Sequence, residues 1–261
     1  FERLNSETTY NFVPVAEDED SLSAAIKDNQ IQAFIADIYP YTGALYKALP
    51  KGGIITRYGV GHDSIDKDLA SENGIHVANT PGVLDNAVAE HACWMIGSSA
   101  RHLHTAHKST VAGEWAPQGG VELRGRKVAI LGFGRIGQEL CKKLTYGFGM
   151  DVTGVDIRPE EDFADLKESV GFSKYTTDRT AALAEADYVV LLMAVVPATK
   201  HIANTEFFKA MKPSAILVNS ARGALVCENE LFDALQDGTI AGAALDVFEQ
   251  EPYQPQDAAK D

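Results

Sequence analysis

Residues 127–137 read KVAILGFGRIG: an apolar-rich run from Lys127 to Leu131, followed at once by Gly132, Phe133, Gly134, Arg135, Ile136 and Gly137. The run predicts a buried parallel strand. Ile136, Leu140 and Leu144 then recur every fourth residue, which predicts a helix that opens inside the glycine loop. In such a loop the first glycine permits a tight turn, the second lets backbone approach a pyrophosphate, and the third lets helix and strand pack closely. The helix N-terminus adds unpaired N–H groups and the positive end of its dipole. The strand–loop–helix context therefore points to a dinucleotide site in which Gly132, Gly134, Arg135, Ile136 and Gly137 cradle the phosphates.

Asp156 ends the next apolar run, DVTGVD (151–156), nineteen residues past Gly137. A carboxylate at that spacing accepts hydrogen bonds from adenosine ribose hydroxyls, which favours NAD over NADP, although the cation Arg158 could partly accommodate a 2′-phosphate.

Outward from this core the alternation continues. DYVVLLM (187–193), AILVN (215–219) and AGAALDVF (241–248) read as further strands; upstream, IQAFIADIY (31–39), GGIITRYG (52–59) and IHVANT (75–80) alternate with the helical YTGALYKAL (41–49) and SIDKDLASENG (64–74). The break at Thr80-Pro81-Gly82 marks a boundary, giving a smaller domain over 1–81 and a larger one over 82–261. Val88, Ala92, Met95 and Ser99 predict one long helix over 85–107. The fold class is α/β: a Rossmann doubly wound parallel sheet beside a smaller α/β domain.

Composition narrows the function. The formal net charge of -14 over 261 residues argues against nucleic acid or an anionic membrane surface as partner. No apolar run approaches the roughly 20 residues of a membrane helix. Cys93, Cys141 and Cys227 show no paired spacing, which suits reduced thiols in a cytoplasmic setting and gives no sign of a structural metal.

Six motifs in order, RYGVGHDSID (57–66), NTPG (79–82), AVAEH (87–91), GFGRIG (132–137), MKPSAILVNSARGALV (211–226) and AALDVFEQEP (243–252), resemble those of the D-isomer-specific 2-hydroxyacid dehydrogenases. The resemblance implies a flavodoxin-like substrate domain, a cleft between the two domains, and hydride transfer between NAD and a small anionic 2-oxo or 2-hydroxy acid. It implies that Arg222 grips the substrate carboxylate and polarises the adjacent oxygen, a task for which a planar guanidinium is suited. Glu251 matches the glutamate that raises the pKa of a catalytic histidine; its neighbour Glu249 is expected to face solvent. Val60 and Gly61 match a loop whose amides bind the carboxylate, and Arg57 either adds a second positive charge or forms a salt bridge. Asp246 matches the aspartate that meets the nicotinamide carboxamide. Ser220, Ala221 and Arg222 itself fall in the cofactor-binding segment, as do Met193 and Ala194, where many members carry His-x-Pro, and Thr199, which fits the family pattern.

The same resemblance places the catalytic histidine in a Pro-His segment roughly 20 to 35 residues past Glu251, hence beyond Asp261, so the chain is expected to be part of a longer protein. The turn holding Asp37, Tyr39 and Tyr41 is expected to border the cleft. A homodimer through the helix from Asp85 is implied, with Trp94 and Trp115 as candidate anchors and core packing the expected role of either one. A competing reading is an NAD(H)-sensing, corepressor-like interaction protein of the same fold.

Overall fold

The computed structural model describes residues 2–16 and 18–253, and the chain divides into two units, Phe1–Leu84 and Asp85–Asp261. In the first, β1 (Ala33–Ala36), β2 (Ile54–Arg57) and β3 (His76–Ala78) form a parallel sheet in that order. Helices α1 (Glu2–Glu7), α2 (Glu19–Asp28), α3 (Ala44–Ala48) and α4 (Lys67–Glu72) accompany them. Strand alternation sends Ala36 and Ile55 into a core with Leu22, Ile26, Leu45, Tyr46 and Ile75. Ile35 and Ile54 project from the other face and stay 54% and 42% exposed.

Glu19, the first residue of α2, accepts the amides of Thr42, Gly43 and Leu45 and so fastens the start of α3. Burial works to raise its carboxyl, but the three amides and the Thr42 hydroxyl outweigh that and hold it below the ordinary carboxylate value. Tyr41, expected at a cleft-bordering turn, is instead buried in the core, edge-on to Phe34. Tyr39 is the exposed member of that turn.

The second unit carries a six-stranded parallel sheet: β4 (Lys127–Leu131), β5 (Asp151–Val155), β6 (Lys174–Thr176), β7 (Tyr188–Leu191), β8 (Ile216–Asn219) and β9 (Gly242–Leu245), ordered β6-β5-β4-β7-β8-β9. Numbered within the unit this is 3-2-1-4-5-6, the doubly wound order with its reversal beside the first strand. Both faces are apolar because both are covered. Val128 and Ile130 join Val190 and Val218 in one cluster, while Ala129, Leu131, Val189, Leu191 and Leu217 join the other.

The helices are α5 (Asp85–Ala100), α6 (Leu103–Val111), α7 (Arg135–Lys142), α8 (Lys167–Val170), α9 (Arg179–Glu185), α10 (Thr205–Ala210) and α11 (Glu228–Gln236). On the first face α5 packs against α7 and the π-helical turn after it (Lys143–Gly147), contributing Ala89, Ala92 and Ile96 to a core shared with Leu140 and Leu144.

Three expectations change. The single helix over 85–107 is two, parted at His102, whose backbone is left-handed (φ 50°). The Ala100 carbonyl there accepts the Val121 amide, which takes the place of a continuing helical donor. Trp94 and Trp115 do not pack in a core: they are 72% and 93% exposed, and α6 buries no residue. Strand β6 escaped the sequence reading because Lys174–Thr176 is three residues long and too short to show a period.

Candidate dinucleotide and substrate site

The glycine loop leaves the carboxyl end of β4. Gly132 has φ 94°, and a Cβ on it would lie 2.6 Å from the Leu192 carbonyl carbon and the Met193 nitrogen, so the turn passes hard against the end of β7. A Cβ on Gly137 would lie 2.5 Å from the Gly132 carbonyl oxygen, the close helix–strand contact the third glycine permits. At Gly134 nothing stands within 4 Å of that position. Gly134 also caps α7 without any side-chain hydrogen bond, so the helix start presents amides to open space. The loop thus has the clearance and the donors that a pyrophosphate needs. Arg135 contributes backbone; its side chain pairs with Asp85 at 2.8 Å.

Asp156 follows β5 and is tied to the loop, accepting the Phe133 amide at 2.9 Å. Arg158 donates to the same carboxylate and to the Phe133 carbonyl while lying over the Phe163 ring. Burial works to raise the Asp156 carboxyl; the bonds and charge of Arg158, with the Phe133 amide, outweigh it and leave the group ionised below its ordinary range. Phe133 itself is buried among Phe163, Phe172 and Tyr175, and its ring occupies the space a side chain on Gly154 would need.

Beyond β7, the Thr199 hydroxyl donates to the Ala194 carbonyl and accepts the Val196 amide, so Thr199 shapes its own loop. Met193 packs against the second face of the sheet.

Beyond β8 the chain turns through Ser220, Ala221 and Arg222. Asn219, fully buried, holds that turn from within: its side chain donates to the Arg222 carbonyl and accepts the Ala221 amide. Arg222 donates to the Ala221 carbonyl at 2.7 Å. Ser220 has a buried hydroxyl with no partner among the described residues, as suits a group awaiting a cofactor oxygen.

Gly223 makes the tightest approach of this region: a Cβ on it would fall 1.8 Å from the Phe248 carbonyl oxygen. The glycine therefore lets the segment after β9 cross directly over the segment after β8. That crossing brings in Glu251, which accepts the Phe248 amide at 3.0 Å. Asp246 is held through its own amide, which donates to the Asn219 carbonyl. Glu249 is exposed, as expected, and at the surface it pairs with His201 and accepts the Glu228 amide.

Asn219, Gly223 and His91, whose Nε2 lies 3.2 Å from Asp246 Oδ1, are the residues that sequence reasoning left out of the site. A buried asparagine ending an apolar strand and a glycine directly after the arginine were the available signals for the first two.

In the first unit, the loop after β2 is pinned from the Asn79-Thr80 segment: the Asn79 side chain donates to the Val60 carbonyl and the Thr80 amide to the Gly59 carbonyl. Among the described residues the amides of Val60 and Gly61 have no protein acceptor. Arg57 is buried, donates to the Tyr58 carbonyl and pairs at 3.5 Å with Asp37, whose side chain is exposed.

The sheet order, the glycine turn and the acid after β5 define a dinucleotide-binding Rossmann protein. Residues 93–260 match the model of the D-isomer specific 2-hydroxyacid dehydrogenase NAD binding domain. The chain is 38% identical over 256 residues to the glyoxylate reductase of Thermococcus onnurineus, covering 92% of this chain and 74% of that one. It is 38% identical over 218 residues to the glyoxylate reductase of Pyrococcus furiosus, where it spans 63% of the relative's length and 80% of its own. A solved NADPH-dependent glyoxylate/hydroxypyruvate reductase from Sinorhizobium meliloti, in complex with NADP and malonate, is similar with a TM-score of 0.83 at 31% identity, over 98% of this chain and 77% of that one.

The chain belongs to the D-isomer specific 2-hydroxyacid dehydrogenases, an oxidoreductase family, and carries that family's NAD-binding domain. Among the described residues, no helix is long and apolar enough to cross a membrane.

Proposed function

We propose that the protein is an NAD-dependent reductase of small 2-oxo acids, with glyoxylate or a compound of similar size as substrate. The observation that carries this reading is the approach of Gly223 to Phe248, which sets the Arg222 and Glu251 segments side by side at the carboxyl end of the sheet that bears the glycine turn.

The bound cofactor supplies hydride at its nicotinamide C4. Arg222 binds the substrate carboxylate and withdraws charge from the C2 oxygen. Glu251 holds an imidazole acid/base in its charged form, so that a proton is at hand when that oxygen becomes a hydroxyl. Val60 and Gly61 offer amides to the carboxylate. Asp246 accepts the nicotinamide carboxamide, Ser220 and Ala221 line the ribose side, and Asp156 meets the adenosine hydroxyls, which favours NAD over NADP.

A cytoplasmic homodimer completes the proposal, supported by three free cysteines and by Trp94, Val111 and Trp115, each more than 70% exposed around α5 and α6. The relatives are named as reductases, which favours this reading over an NAD(H)-sensing interaction protein. The test is NADH consumption with a panel of 2-oxo acids. Saturable turnover with glyoxylate or hydroxypyruvate is expected; NADH binding without consumption of any acid would reject the reading.

A further inference from the structure

His91 belongs to none of the roles assigned so far, yet its ring reaches Asp246. It sits in the second turn of α5, next to Ala92, whose buried side chain fixes that helix on the sheet. Its Nε2 lies 3.2 Å from Asp246 Oδ1, both side chains being about half exposed (51% and 49%). Asp246 is the first residue after β9, so its backbone is anchored by the Asn219 carbonyl while its side chain projects past the end of the strand. A half-exposed carboxylate in such a place samples several rotamers. A ring nitrogen lying 3.2 Å from one oxygen selects among them and leaves the second oxygen as the acceptor for another donor.

An exposed pair of this kind adds little to fold stability, so the helix does not need it. What it fixes is a direction. We propose that His91 is a positioning residue for the nicotinamide ring: by holding Asp246 Oδ1, it aims Oδ2 at the carboxamide N–H and so sets the plane of the ring. The inference rests on the reading that Asp246 meets the carboxamide, and the experiment separates the two.

Three probes are titrated against the wild-type protein and the variants His91→Ala, His91→Gln and Asp246→Ala. They are NADH, its 3-acetylpyridine analogue, in which a methyl ketone replaces the carboxamide and removes the N–H donors, and ADP-ribose, which has no ring. The wild-type protein is expected to prefer NADH over the analogue by roughly tenfold, the range of a hydrogen bond to a charged acceptor. Asp246→Ala abolishes that preference. His91→Ala cuts it by about three- to fivefold, and His91→Gln, which keeps an N–H donor of similar reach, restores most of it. ADP-ribose binds all four proteins alike.

An unchanged preference in Asp246→Ala would overturn the underlying reading of that aspartate. A lost preference in Asp246→Ala with an unchanged one in His91→Ala would overturn the role of His91 alone. Weakened ADP-ribose binding in His91→Ala, in proportion to the loss for NADH, would make His91 a structural residue and overturn the proposal.

Discussion

Two loops leave the same sheet at its carboxyl edge, and they are built in opposite ways. The loop after β4 is a device of backbone: three glycines placed six residues end to end, a helix start and a single acid tied to it by the Phe133 amide. The loop after β8 is a device of convergence: Asn219 frames it, Gly223 admits the segment carrying Asp246 and Glu251, and α5 brings His91. The first places its donors close together in sequence, as the binding of an anion would need. The second assembles side chains from segments more than a hundred residues apart, an arrangement that would suit the proposed transfer of hydride and proton.

If the two loops divide the work in this way, their variants should separate binding from turnover. The largest effect is expected for Arg222→Ala: kcat/KM for a 2-oxo acid falls roughly 100- to 1,000-fold, as for loss of one transition-state donor, while NADH affinity measured by fluorescence titration stays within about threefold. Gly134→Val should do the reverse. Its side chain fills the space left open at the helix start, and NADH affinity drops by about 100-fold with little change in melting temperature.

Gly223→Ala tests the crossing itself. A methyl group 1.8 Å from the Phe248 oxygen forces the two segments apart, and thermal melting should show a fall of roughly 3–6 °C together with a loss of turnover that exceeds any loss of NADH binding.

Asp156→Asn is the mildest change. The preference for NADH over NADPH should shrink by about tenfold in paired titrations, because Arg158 is left without its carboxylate partner. The pH dependence of this variant has a definite sign. The folded carboxyl titrates below its ordinary 3.8, so its stabilising contribution is present above that value and is lost as pH falls through the lower folded one. Wild type and variant should therefore differ in stability at neutral pH and converge at the acid end, as followed by circular dichroism.

The contrast between the loops also explains what could be read from the sequence. The glycine turn, its strand, Asp156 and the doubly wound order are written in local patterns: a period of two, a period near four, and glycines at fixed offsets. Arg222, Glu251 and Asp246 became legible through resemblance to a family, since nothing in the spacing of 222, 246 and 251 says that these positions meet. The link between them is Gly223, and its meaning depends on a backbone oxygen twenty-five residues away.

The misses have the same origin. His91 reads as one more helical residue until β9 is placed beside it. The pairing of the exposed Glu249 with His201, which has a left-handed backbone at φ 51°, likewise has no local signal. Trp94 and Trp115 look like core residues by type, but both are exposed, and among the described residues α6 buries none of its own.

On the proposed reading the two loops serve one chemical event, the delivery of hydride to C2 of a 2-oxo acid, and that event can be followed directly. The protein is given NADH deuterated at C4 on either face and a small 2-oxo acid, and the product is analysed by mass spectrometry and proton NMR. Deuterium from one of the two faces should appear at C2 of the hydroxy acid, and Arg222→Ala should slow its appearance without weakening NADH binding. Binding of NADH with no transfer of label to any acid would contradict the account.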